Sequence, residues 1–377
     1  MKTIALSEPT FQGNEGVYLQ ECLASTFVSS VGPFVTRFEN EFASKVGATH
    51  AVACATGTAA LHLALLVAGV EPGDEVFVSD LTFIATANAA QYCGARVTLI
   101  DCEPTTWNID QNIVIAELNR RAAAGLAQPK AIVVAHILGL PGDISAMCDR
   151  ALELGVDVIE DAAEALGARW RDCAHGDRSV GTLARFGCFS FNGNKIMTSG
   201  GGGMVVCPDP ADARRVRHLS TQARIPGLEY WHDAVGYNYR LTNLAAAVGV
   251  AQLEQLDDLV ERRRAVAATY DRALADSPLI TVPPSPDWSS RTGWMYSVLL
   301  PDAATREVVT KALRAADIEA RPIWMPLHLQ APYVGAPWLG SGVGEGIAAR
   351  ALSLPCSAHL PAADQRRVIG VLLDALA

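Results

Sequence analysis

The chain has 377 residues, half of them hydrophobic and only 19% charged, with a net charge of −10 and a pI near 5.3. That balance supplies a large apolar core and excludes disordered and low-complexity classes; the length favours two domains over one or three. An acidic chain repels a phosphate backbone at long range, so nucleic acid is not expected as a partner.

Nine cysteines run from Cys22 to Cys356 without a CxxC pair. This suits reduced thiols packed as small apolar side chains and predicts neither a disulfide framework nor a metal site. The apolar run after Met1 and Lys2 is too short for a signal peptide, and no stretch approaches the roughly 20 apolar residues that span a bilayer. The expectation is a cytoplasmic protein without a membrane segment.

From about Ala51 to Cys207 short apolar runs alternate with helical patterns. Strands are predicted at Glu75–Ser79, Arg96–Ile100, Lys130–Ala135, Asp157–Ile159, Arg185–Phe191 and Gly203–Cys207. Helices are predicted at Thr58–Ala68, Ala85–Tyr92 and Ile144–Leu154. Runs such as Ala-Ile-Val-Val-Ala are apolar throughout, as strands covered on both faces are. The alternation predicts an α/β domain with a mostly parallel sheet. One helical pattern then runs from Leu244 to Leu274, and the basic triplet Arg262–Arg264 reads as its solvated face. A connector rich in Pro and Ser in the 280s leads to a smaller α+β region, with Met295–Leu300, a helix near Thr305–Ala316, and Ile318–Ile323. The expected division is a large domain, 1–255, and a small C-terminal one, 256–377.

Four features carry chemistry. In Ala55-Thr56-Gly57-Thr58 a small, hydroxyl-bearing turn enters a helix, where unpaired amides bind phosphate and Gly57 permits close approach. Any βα turn can look alike. Phe83 follows a strand end and can stack on a flat ring, although a lone Phe is more often core. Asp161 comes just past a strand's carboxyl end, the edge where open α/β sheets bind ligands. A carboxylate there can hold a pyridine nitrogen protonated; capping the next helix is an equal reading. Finally, Lys195 leaves the apolar strand Phe189-Ser190-Phe191 and precedes the loop Gly200–Gly203. Lysine is rarely buried without cause, so an imine-forming amine competes with a surface turn. Together these supply an anchor, a ring support, a nitrogen partner and an imine lysine, the complement a pyridoxal-phosphate enzyme requires. Nucleotide-binding glycine motifs, HExxH and GxSxG are absent.

The sequence resembles the DegT/DnrJ/EryC1/StrS aminotransferases, sugar aminotransferases of pyridoxal-phosphate fold type I. The resemblance runs almost end to end. It is carried by Val28–Phe34 with Arg37-Phe38-Glu39, Gly57–His62, Glu160–Ala163, Phe189–Lys195, Gly236–Leu241, Arg321–Trp324 with His328, and Ser353–Pro355. It implies that Lys195 forms the cofactor imine, Asp161 faces the pyridine nitrogen and Phe83 stacks on the ring. Gly57, Thr58 and Ser190 would grip the phosphate, and Asn238 the phosphate in the neighbouring subunit of a homodimer. Arg240 would bind the donor's carboxylate or the sugar; Arg321, Trp324 and His328 would meet a nucleotide-sugar. Glu164 stands near the cofactor's ring oxygen, where relatives carry His or Gln, and its role stays open. The implied reaction takes an amino group from a donor such as glutamate, through pyridoxamine phosphate, to a nucleotide keto-sugar. Ser29-Ser30 with Asn192–Lys195 most resembles members acting at C4 of 6-deoxy-4-keto sugars. Amination of a cyclitol or at another sugar carbon is the nearest alternative, ahead of a same-fold dehydratase, in which His replaces the lysine, and a non-catalytic binding protein.

Overall fold

In the computed structural model the residues described are 3–171, 176–227 and 229–377. Met1, Lys2 and Cys173 lie outside them; the other eight cysteines are free thiols, and all but Cys148 are buried.

Two helices, α1 (Glu15–Ser25) and α2 (Pro33–Val46), precede the sheet. Then strands and helices alternate: β1 (His50–Cys54), α3 (Gly57–Val67), β2 (Glu75–Ser79), α4 (Ala85–Tyr92), β3 (Arg96–Ile100), α5 (Gln111–Ala124), β4 (Ala131–Ala135), α6 (Ser145–Glu153) and β5 (Asp157–Asp161). After the ribbon strands β6 (Arg169–Trp170) and β7 (Arg178–Ser179) come β8 (Phe186–Ser190), β9 (Gly203–Cys207), α7 (Pro210–Ser220), α8 (Asn243–Glu254) and α9 (Leu256–Leu274). The last part holds β10 (Ser289–Ser290), β11 (Tyr296–Leu299), α10 (Ala303–Ala315), β12 (Arg321–Pro322), β13 (Trp338–Leu339), α11 (Val343–Arg350), β14 (Ala351–Leu354) and α12 (Ala362–Asp374).

The main sheet has eight strands in the order β1-β9-β8-β5-β4-β2-β3-β13. Pairing is parallel from β8 to β13 and antiparallel at β1–β9 and β9–β8. Helices cover both faces, so strand side chains alternate between two apolar layers. On β8, Phe186 packs with Leu61, Val133 and Val205, while Phe189 packs on the other face with Phe38, Phe42 and Trp170. A second sheet, β11-β14-β12, packs on α9, α10 and α12 around Tyr270, Tyr296, Leu313 and Val368.

The strands at 75–79, 96–100 and 203–207 lie where the apolar runs predict them. Four expectations change. Arg263, expected on a solvated helix face, is instead buried and donates to Cys356 O at 2.9 Å. The strand expected to end at Ile159 continues through Asp161, because that residue still pairs with Ala135 and Cys188 on its two neighbours. The single helix expected from 244 to 274 breaks at Gln255, whose ψ of 3° leaves the helical range. The stretch 318–323 pairs with β14 only at Arg321 and Pro322; Ile318 instead bridges Ile4 near the chain start. The helices α5 and α7 escape periodicity reading because they bury few apolar residues, only Val114 and Leu118 on α5. Among the described residues no helix is long and apolar enough to cross a membrane, and no His, Cys, Asp and Glu cluster could hold a metal.

Candidate active site

The parallel strands all end on one side of the sheet. There a cavity of about 480 Å³ opens, lined from the ends of β2, β4, β5 and β8, the start of α3 and the segment 321–324. Strand direction alone thus brings together residues separated by up to about 140 positions in the main sheet.

At one wall, Thr56 caps α3. Its hydroxyl accepts from Ala59 N at 3.0 Å and its carbonyl from Ala60 N, which leaves the first-turn amides of Gly57 and Thr58 beside the cavity. Gly57 cannot be larger: a Cβ there would lie 2.7 Å from Ser190 Cβ. The two chain segments therefore close into one cradle of amides and hydroxyls, at the positive end of the α3 dipole.

Asp161, the last residue of β5, is buried at 8% exposure, and burial pushes its carboxyl up from the ordinary range. Thr86 Oγ1 donates to its Oδ2 at 2.7 Å and Ala163 N to its Oδ1 at 3.1 Å. Lys195 follows β8 through a turn closed by its own N–H to Asn192 O at 3.0 Å. Its Nζ lies 3.7 Å from Glu164 Oε1 and 4.3 Å from the centre of the Trp294 ring. Glu164 is buried, and desolvation raises its carboxyl to about 7 against the pull of Lys195. Phe83, more than half exposed, presents its ring to the cavity.

Of the residues singled out from sequence, Gly57, Thr58, Phe83, Asp161, Glu164, Ser190, Lys195, Arg321 and Trp324 line the cavity. Three do not. His328 is held 2.5 Å from Asp80 Oδ2 and 3.2 Å from Glu345 Oε1, with Trp338 against its ring. Asn238 is exposed on the segment that bridges Thr221. Arg240 bridges Cys54 at the end of β1, and its buried Nε has no hydrogen-bond partner.

A family model for the DegT/DnrJ/EryC1/StrS aminotransferases matches residues 10–373. The chain belongs to that family. Among its relatives, the GDP-perosamine synthase of Caulobacter vibrioides is 41% identical over 372 residues, 98% of this chain and 97% of that one. The GDP-perosamine synthase of Escherichia coli O157:H7 is 36% identical, covering 98% and 96%. A DegT/DnrJ/EryC1/StrS aminotransferase from Brucella abortus superposes with a TM-score of 0.89 at 29% identity, covering 96% of this chain and 95% of that one. The chain is accordingly a pyridoxal-phosphate-dependent aminotransferase with the fold type I architecture.

The aminotransferase's own residues fit that cofactor. The cradle at Gly57, Thr58 and Ser190 suits a phosphate, the exposed Phe83 a flat ring, and the buried Asp161 a cationic ring nitrogen. Sequence reasoning missed Trp294 and His136. Trp294, 2% exposed, donates Nε1–H to Asn194 O at 2.7 Å and forms the floor under Lys195. It comes from the far end of the Pro-rich connector, and no local pattern marks it. His136 follows β4; Gly142 N donates to its Nδ1 at 3.1 Å, so its Nε2 carries the proton toward Glu160, 3.2 Å away.

Proposed function

We propose that this aminotransferase transfers an amino group from L-glutamate to the C4 keto group of a nucleotide-activated deoxysugar. The observation that carries the reading is the single amine, Lys195, held in the cavity between Trp294 and Glu164 with Asp161 at the adjacent strand end. Two relatives named GDP-perosamine synthase support a nucleotide-sugar acceptor and make guanosine diphosphate the first nucleotide to try.

When bound, pyridoxal phosphate supplies a carbonyl for the amine and an electron sink for the proton transfer that follows. As a free amine, Lys195 would be the base that takes the proton from the donor's α-carbon and the acid that gives it to the bound cofactor. Asp161 keeps the ring nitrogen cationic, an interaction strengthened by its dry surroundings. Gly57, Thr58 and Ser190 hold the phosphate, Phe83 supports the ring, and Asn238 reaches the phosphate across a homodimer interface. Arg240 serves the donor's carboxylate or the sugar. Arg321, 70% exposed at its side chain and only loosely paired with Glu319 at 3.8 Å, is the cation placed for a diphosphate, with Trp324 beside it. His328, engaged by two carboxylates, lies outside the cavity and serves as an anchor.

The chain is read as a large domain to residue 255 and a small domain from 256 to 377; the separate three-stranded sheet and its apolar cluster support that division. Buried reduced thiols support a cytoplasmic location.

An absorbance spectrum tests the reading. Protein supplied with pyridoxal phosphate should show a yellow band that glutamate bleaches and one nucleotide keto-sugar restores. Restoration by a keto-cyclitol alone would move the acceptor to that class, and a colourless protein would remove Lys195 from its role.

A further inference from the structure

Glu164 is the one carboxyl in the cavity with an oxygen turned to the reacting amine. Its Oε2 is fixed by Leu138, whose N–H donates at 3.0 Å. Leu138 adopts φ 58°, ψ 17°, a left-handed conformation that a leucine adopts only when its surroundings impose it. Oε1 is thereby aimed at Lys195 Nζ. The other groups that face this pair are already engaged. Asp161 accepts from Thr86 and Ala163, Glu160 from the amides of Gly181, Leu183 and Ala184, and His136 lies between Gly142 N and Glu160. Trp294 contributes a ring face and no proton.

We propose that Glu164 is the proton partner of Lys195, a positioning residue that takes the lysine's proton to free the amine and gives it back when the ammonium reforms. The inference rests on Lys195 being the reacting amine. The exchange is balanced: Nζ–H breaks, Oε1–H forms, and an ammonium–carboxylate pair becomes an amine and a carboxylic acid with no proton entering or leaving. Burial favours the protonated form of Glu164, because its carboxylate loses solvation. A carboxyl in water would hold the proton too weakly for this; desolvation moves Glu164 to about 7, near the working pH at which a proton passes either way. A His or Gln at this position could not do the same with a net charge of zero, since neither becomes an anion.

The test compares wild type with Glu164→Gln and Glu164→Asp, and uses Lys195→Ala as a probe of coupling. In the cofactor-free protein, infrared spectra should show one buried carboxylic-acid band lost on raising the pH through about 7. The band should be absent in Glu164→Gln. Its midpoint should move up in Lys195→Ala, where the cation that stabilises the carboxylate is gone. In the holoenzyme, single-turnover reaction with glutamate should slow roughly 10- to 100-fold in Glu164→Gln and lose its pH inflection, with glutamate KM little changed and partial rescue in Glu164→Asp. A midpoint unmoved by Lys195→Ala, or a Glu164→Gln enzyme with the wild-type pH profile, overturns the proposal. The infrared readings need no turnover, so a cofactor band that glutamate fails to bleach would sink the aminotransferase reading alone.

Discussion

The carboxyl edge of the main sheet holds two groups of buried carboxylates, one facing the cavity at the end of β5 and one at the ends of β2 and β3 facing the C-terminal segment 325–345, and they are used differently. At the end of β5, Asp161 and Glu164 carry raised pKa values beside an amine and an open cavity. Facing the C-terminal segment from the ends of β2 and β3, Asp80 and Asp101 act as anchors, although burial pushes the Asp80 carboxyl up as well. Asp80 accepts from the His328 amide and from Trp338 Nε1, and its Oδ2 meets the His328 ring. Asp101 accepts from Ser341, Gly342, Val343, Gly344 and its own neighbour Cys102. Saturated with donors, such a carboxylate has no oxygen left for chemistry; it ties a long loop to the ends of β2 and β3. The comparison teaches that burial alone does not mark a reactive acid: Asp80 is as buried as Glu164, but only Glu164 keeps an oxygen, Oε1, turned to an amine.

The comparison can be broken at either region. Lys195→Ala should lower kcat by at least about a thousandfold and abolish the yellow band while circular dichroism stays unchanged. Asp161→Asn, nearly isosteric, should cost roughly 10²- to 10³-fold in kcat with cofactor still bound, measured by single turnover. Glu164 gives a stability signature. Its carboxyl is raised from 4.5 to about 7 in the folded state, so its contribution is complete below pH 4.5 and is lost as pH rises through 7. Over that window unfolding free energy should fall by on the order of 3 kcal/mol in wild type relative to Glu164→Gln, read by denaturant titration at pH 5 and 8. In the anchoring region, His328→Gln should lower stability by about 2 kcal/mol while acceptor KM moves less than about threefold. A large rise in that KM at unchanged stability would return His328 to the substrate.

Much of the sheet edge is legible in the sequence because it is local. An apolar run fixes each strand, a parallel sheet sends every strand end to one side, and the residue following each run is delivered to one cavity. Gly57, Asp161, Ser190 and Lys195 arrive this way. His328 was grouped with Arg321 and Trp324 by their closeness in the chain, but the short helical turn Leu327–Leu329 carries it away to Asp80. Trp294 approaches from a connector without periodicity, so its place under Lys195 depends on how the later part of the chain packs against α9 and the N-terminal segment. There Arg263 holds Trp294 O and Cys356 O.

By itself, then, the sequence determined the mostly parallel α/β sheet, the strand-end residues and the family, since hydrophobic period and motif order are written residue by residue. Only the tertiary structure decided that Glu164 faces Lys195, that Trp294 floors the site and that His328 is an anchor. Each of those depends on distances between segments far apart in the chain, set by packing and by which donors have already filled each carboxylate.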